Sequence, residues 1–150
     1  MLYSKENKQA DAEKEFNTEI ALNLQKEEAF FNLGMLYFQN KDYDKAITAW
    51  DSTVSINPKN TDAFNNMGVC YLNFKKDNDK GMYYFEKAVE VNPNYIQGYF
   101  NILVCAQNSN NEQVMIKYIR ILLDKGTALN DIKAKGIQIS DDLLRKINAR

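Results

Sequence analysis

Apolar residues recur along this chain in short helical stripes separated by polar turns. Between Glu27 and Gln39, the residues Phe30, Leu33, Gly34 and Tyr37 fall at the spacing of one face of an α-helix. Asn40-Lys41-Asp42 interrupts the stripe. Tyr43, Ala46, Ile47, Trp50 and Val54 then form a second one. Asn57-Pro58 ends it, because proline cannot continue a helix and disfavours helix in the residue before it. The pattern predicts two helices joined by a tight turn.

The same frame then returns. Asn32-Leu33-Gly34 recurs as Asn66-Met67-Gly68, Phe30 as Phe64, Tyr37 as Tyr71, Trp50 as Phe85 and Pro58 as Pro93. The second unit carries one extra residue, assigned to the turn Lys75–Asp79, and has Gly81 where the first has Ala46. A third unit, 96–124, keeps Tyr99, Ile102 and Ala106 but places Leu103 at the glycine position and has no closing proline. The frame also extends backwards to Tyr3, Ala12, Phe16, Ile20 and Leu22, with Leu24 at the proline position. This predicts the end of a first helix at Met1–Lys5 and a complete second helix over about Lys8–Asn23. A fixed period of 20–50 residues marks a stacked repeat architecture.

The spacing Phe30, Leu33-Gly34, Tyr37, Ala46, Trp50, Pro58 resembles the tetratricopeptide repeat, a helix–turn–helix of about 34 residues. The resemblance implies an all-α fold, a right-handed α-solenoid of antiparallel helix pairs. The expected organisation is an array over 1–124, with a partial repeat at 1–26, repeats at 27–60 and 61–95 and a degenerate one at 96–124. Residues 125–150 then supply a linker and a C-terminal capping helix. Lys125-Gly126 suits a helix end. Ser140 reads as an N-cap, with Asp141 and Asp142 in the first turn and Arg145 and Lys146 in the last, matching the helix dipole.

Composition narrows the function. The 150 residues are 45% hydrophobic and carry a net charge of −1 with scattered Lys and Arg. Nucleic-acid binding needs a basic face, so neither DNA nor RNA is an expected partner. No apolar run is long enough to span a bilayer, which points away from membrane insertion and toward a cytoplasmic setting for this chain. The Asn-, Lys-, Tyr- and Ile-rich composition suggests an AT-rich, bacterial genome. Histidine is absent, which removes Ser–His and Cys–His dyads and the commonest transition-metal ligand. The carboxylate clusters Asp11-Ala12-Glu13 and Asp141-Asp142 read as solvated helix faces. No catalytic residue, metal site or cofactor is expected. Cys70 and Cys105 share one repeat position. Stacked helices lie about 8–10 Å apart, too far for a disulfide, so both read as small buried hydrophobes.

In the resembled family the first helix of each pair lines a concave groove. Carried over, the groove residues here are Phe31, Asn32, Met35 and Phe38, then Asn65, Asn66, Val69 and Asn73, then Phe100, Asn101, Val104 and Asn108. The face is nearly uncharged, and Asn32, Asn66 and Asn101 form a ladder. A side-chain amide donates and accepts, so it can satisfy a peptide backbone regardless of the guest's side chains. Rungs about 8–10 Å apart match every third residue of an extended chain. Phe31, Met35, Phe38 and Phe100 would supply apolar pockets. Such a ladder resembles that of the repeat array attached to the O-linked N-acetylglucosamine transferase. Asparagine is also a habit of the family at this position, so a backbone clamp and a family trait both stay open. Phe31, Met35, Gln97 and Asn101 stand where the carboxylate-gripping clamps of chaperone-tail binders place Lys and Arg, which argues against that ligand.

The leading expectation is a protein-interaction module, part of a longer polypeptide, that binds a protein or peptide segment. The alternative is an accessory, substrate-presenting domain of an enzyme such as a glycosyltransferase. Self-association through the N-terminal end is also expected, because half a helix pair would leave the Ala12–Phe16–Ile20–Leu22 stripe uncovered.

Overall fold

The computed structural model describes residues 2–22 and 26–149, and for residues 2–7 and 9 the backbone only. Among the described residues every regular element is helical: α1 (Leu2–Leu22), α2 (Glu27–Gln39), α3 (Tyr43–Ile56), α4 (Thr61–Val69), α5 (Asn78–Val91), α6 (Ile96–Asn108), α7 (Glu112–Asp124), α8 (Leu129–Ala134) and α9 (Asp141–Asn148). Successive helices pack on one another in chain order, α2 on α3, α4 on α5 and α6 on α7, with α3 against α4 and α5 against α6 joining the pairs. This is an all-α solenoid.

A glycine and an aromatic ring lock each central pair. A Cβ added at Gly34 would lie 2.6 Å from Cδ1 of Trp50, and one at Gly68 would lie 2.6 Å from Cε1 of Phe85. Only glycine lets these rings cross the first helix. Trp50 is 1% exposed and Phe85 fully buried. The Trp50 indole N–H also donates to the Phe31 carbonyl at 3.3 Å. The third pair solves the same crossing differently: Leu103 stands at the glycine position, Ile119 at the aromatic one and Ala106 where the others have tyrosine, all fully buried.

Each turn between paired helices passes through one left-handed residue, Lys41 (φ 63), Lys76 (φ 57) or Asn110 (φ 53). Side-chain caps then start the second helix of the last two pairs. Asp77 accepts from Lys80 N–H at 3.0 Å and Asn111 from Val114 N–H at 3.2 Å.

Two expectations are corrected. The extra residue of the second unit does not sit in the turn. It is absorbed in a π-helical turn, Cys70–Lys75, that continues α4. Where Asp42 N–H reaches back five residues to Tyr37, Asp77 N–H reaches back six to Tyr71 at 2.9 Å. A wider helical turn accepts one more residue without breaking the backbone bonding. Nor do the first residues form the end of a separate helix, because α1 runs unbroken from Leu2 to Leu22. No glycine or proline interrupts it, so nothing forces a turn before Lys8. The Tyr3 side chain and Leu24 lie outside the described residues. Ala12, Phe16 and Ile20 pack toward Leu33, Leu36 and Ala49, but Leu22 is 82% exposed and leaves the expected stripe.

Gly81 is helical, its N–H donating to Asp77 at 2.9 Å. On helix propensity alone, Gly81→Ala would gain up to about 1 kcal/mol. The added methyl, however, would lie 3.2 Å from Leu72 Cβ and 3.3 Å from Leu72 N. Leu72 belongs to the π-turn, and its backbone N–H side would have to shift with it. Overpacking costs typically about 1–3 kcal/mol, so the substitution is expected to destabilise by up to about 2 kcal/mol net. A raised urea midpoint would show instead that the π-turn yields.

Past Gly126 (φ 86), α8 is short and ends at Gly136 (φ 85). A strap without regular secondary structure leads to Ser140, whose hydroxyl caps Leu143 N–H at 3.1 Å. Ile132, Ile137, Leu143 and Ile147 are buried in the same core as α6 and α7. Arg120 of α7 fixes α9 from its far end. Its guanidinium donates to the carbonyls of Ile147 (2.9 Å), Lys146 (2.7 Å) and Ala149 (2.5 Å). A cation at these unpaired carbonyls suits the helix dipole.

Candidate peptide-binding groove

The first helices of the three pairs, α2, α4 and α6, carry the residues singled out from the sequence. Phe31, Asn32, Met35, Phe38, Asn65, Asn66, Val69, Asn101 and Val104 are each half-buried, and Asn73 and Asn108 are exposed. Phe100 departs from expectation. It is 7% exposed, with the Lys135 ammonium 6.0 Å from its ring centroid. Residues beyond α7 cover it, so Phe100 supplies core rather than an apolar pocket.

Two of the ladder amides are partly committed to neighbouring side chains. Asn101 donates to Asn65 Oδ1 at 3.0 Å and accepts from Gln97 at 3.0 Å. Asn66 donates to the Met35 sulfur at 3.5 Å. The bonds to Asn65 and Met35 tie neighbouring repeats together, the one from Gln97 lies within α6, and each ladder residue stays partly exposed. Toward the C-terminal half, Leu72, Asn73, Lys76, Asn78, Val104 and Asn108 enclose a hollow of about 360 Å³. Asn108 donates to Asn78 Oδ1 at 3.2 Å there. The structure thus brings Asn73, Val104 and Asn108 together, with Lys76 as the cation of that hollow.

The N-terminal half is aromatic. Phe38 meets Tyr43, Trp50 and Phe74 edge-on or tilted at 5.7–6.0 Å. Phe74 stacks on Tyr43 at 3.9 Å, and Lys75 pairs with Asp44. Phe74 and Lys75 lie in the π-turn, so the inserted residue sends an aromatic and a cation across to the preceding repeat. Sequence reading missed Phe74 and Tyr43 here. The available signal was the change of period from 34 to 35, read as a longer loop.

Gln107 was also missed. Its amide donates to the Gly136 carbonyl at 3.3 Å and accepts from the Gln138 N–H at 2.6 Å. One side-chain amide therefore pairs with two backbone groups, two residues apart, where the chain leaves the left-handed turn at Gly136.

Cys70 and Cys105 are free and fully buried. Burial pushes the Cys70 thiol up to about 11 and the Cys105 thiol up to about 12. Both stay protonated at neutral pH and make poor nucleophiles. The folded state favours the neutral thiols, while an unfolded chain ionises them near their ordinary value. Their contribution to stability is complete below about pH 9 and is lost as pH rises toward 11–12. Cys70→Ser/Cys105→Ser should flatten this alkaline loss in urea melts at pH 8 and pH 10. Unchanged alkaline sensitivity would assign it elsewhere.

With the geometry in place, comparison with known proteins is decisive for the central units. Residues 27–60 match one tetratricopeptide repeat model and residues 61–95 match another. Residues 27–95 are tetratricopeptide repeats. No curated protein matches the chain. Among solved structures, two crystal structures of MamA align with a TM-score of 0.70 at 24% identity. They cover 89% of this chain and 75% and 70% of those chains. A MamA RS-1 ArsTM double mutant aligns with a TM-score of 0.66 at 15% identity, covering 98% of this chain and 72% of that one. At such identities the likeness is one of fold. Tetratricopeptide repeats are protein-interaction modules, and this chain has that architecture. No helix among the described residues is long and apolar enough to cross a membrane.

Proposed function

We propose that the concave face of α2, α4 and α6 holds an extended segment of a partner polypeptide, gripped through its backbone by side-chain amides. The observation that carries this reading is Gln107, whose side-chain amide both donates to and accepts from backbone groups of the strap at 136–138. Asn32, Asn66, Asn73 and Asn108 offer the same chemistry to a guest, and none is fully buried. Phe31, Met35, Phe38 and Val69 supply apolar contacts, while Phe100 is left out of the contact set. The strap sets the C-terminal limit of the groove.

The test places a photo-crosslinking residue at Val69 and, separately, at exposed Asp124 on α7, and exposes both proteins to a native extract. Val69 should capture a discrete partner that Asp124 does not. Asn66→Ala/Asn73→Ala should weaken that capture at least tenfold without loss of helicity. Equal labelling from both positions would refute the groove as the binding face.

We further propose that the N-terminal end self-associates. Leu22 is 82% exposed, and Phe16 and Ile20 are only half-buried. Sedimentation over a concentration series should show reversible dimers that Leu22→Lys/Phe16→Lys abolishes. A concentration-independent monomer would overturn this.

A further inference from the structure

The second repeat fills a hollow on its outer side that the first leaves open. In the second repeat Tyr84 stacks on Tyr71, with ring centroids 5.4 Å apart and planes 8° from parallel. The Lys80 ammonium lies 5.2 Å from the Tyr71 centroid. Tyr83 meets Tyr84 edge-on at 5.1 Å. Tyr84 also packs against the core between the first and second repeats.

The receiving half of this arrangement recurs one repeat earlier. Tyr37 stands for Tyr71 and Lys45 for Lys80, and the Lys45 ammonium again lies 5.2 Å from the tyrosine centroid. The Tyr37 ring is held in place by its hydroxyl, which donates to Glu13 of α1 at 2.8 Å. The filling half is absent: Ala49 stands for Tyr84, Thr48 for Tyr83 and Ser52 for Lys87. A cavity of about 340 Å³ results, lined chiefly by Phe30, Leu33, Tyr37, Lys45, Thr48 and Ala49. No described side chain of α1 lines it. The cavity is continuous with the interface at which α1 rests on Leu33 and Ala49.

We propose that this cavity receives a tyrosine side chain presented by a partner polypeptide. The ring would lie on the face of Tyr37, as Tyr84 lies on Tyr71, with Phe30 and Leu33 beneath it. Offset stacking and the nearby ammonium both favour an electron-rich aromatic ring over an aliphatic group. Thr48, Ser52 and the Asp44 carboxylate at the rim supply acceptors for the phenolic proton. This site lies apart from the concave groove and is independent of what the groove binds.

The probe is N-acetyl-L-tyrosinamide, titrated into the isotope-labelled full chain and followed by amide chemical shifts. Saturable shifts confined to the lining residues of α2 and α3 are expected, with a Kd of about 1 mM, as suits a fragment of this size. N-acetyl-L-leucinamide should bind at least tenfold more weakly. Ala49→Tyr, which restores the filling residue of the second repeat, should abolish the response. Lys45→Met keeps an unbranched side chain of similar length at the cavity wall, removes its charge and should weaken binding about three- to tenfold, so the proposal stays testable if Ala49→Tyr disturbs α1. Absence of saturable shifts, an equal response to the leucine probe or full binding by Lys45→Met would overturn the proposal.

Discussion

Replacing Trp50 with alanine is expected to cost about 3–5 kcal/mol of stability, the range for deleting a buried large aromatic. Trp50 is 1% exposed and lies directly across Gly34, which has no side chain of its own to fill the space. Truncation leaves three defects at once. The ring's volume becomes a cavity, the Phe31 carbonyl loses its indole donor, and Phe38 loses a neighbour at 6.0 Å. Because Phe38 lines the proposed groove, its aromatic half should loosen as well. Trp50 is the only tryptophan, so urea melts should be read by far-ultraviolet circular dichroism rather than fluorescence. Trp50→Phe provides the control. The second repeat uses phenylalanine at this position, and a ring kept over Gly34 should hold the cost below about 1.5 kcal/mol. A loss under about 1 kcal/mol for Trp50→Ala would mean that the crossing of α2 and α3 does not depend on this lock.

The fold class was legible because the period encodes geometry directly. Gly34, Gly68, Trp50 and Phe85 are readable in sequence for the same reason that they work in the structure: only a residue without Cβ admits the ring. The misses share a physical cause, namely dependence on what lies outside the frame. Phe100 occupies the repeat position of Phe31 and Asn65, and the segment after α7 lies over its ring. That segment carries no period, so its path across α6, and the hold of Gln107 upon it, could not be anticipated. The π-turn is a different case. A count of 35 against 34 reveals an insertion between Tyr71 and Asp79 but not which backbone bonds absorb it. In α1, continuous polar and helix-favouring residues from Ser4 to Lys14 contain no breaker, and the frame's phase alone does not separate one long helix from two. The asparagine ladder was visible as a pattern. Its bonds to Asn65 and Met35 depend on the distance between repeats.

The largest coupled effect is expected at the second crossing. Gly68→Leu alone should cost more than about 3 kcal/mol and is expected to prevent stable folding, because overpacking typically costs about 1–3 kcal/mol even where no ring stands in the way. Here the first added carbon would already lie 2.6 Å from the Phe85 ring. The third repeat shows how the chain itself accommodates leucine at this position. Leu103 faces Ile119 rather than an aromatic ring, and Ala106 replaces the tyrosine one turn further on. Transplanting the whole set, as Gly68→Leu with Phe85→Ile and Tyr71→Ala, exchanges one packing solution for another built on the same backbone crossing. The triple variant should recover at least about 1 kcal/mol relative to the sum of its parts, the coupling expected among residues in direct contact. Each variant would be followed by urea unfolding, with Gly34→Leu as a parallel test at the Trp50 crossing. Strict additivity would show that the second and third repeats cross at different helix separations. In that case Leu103 would reflect a wider spacing of α6 and α7 rather than an alternative filling of the same space.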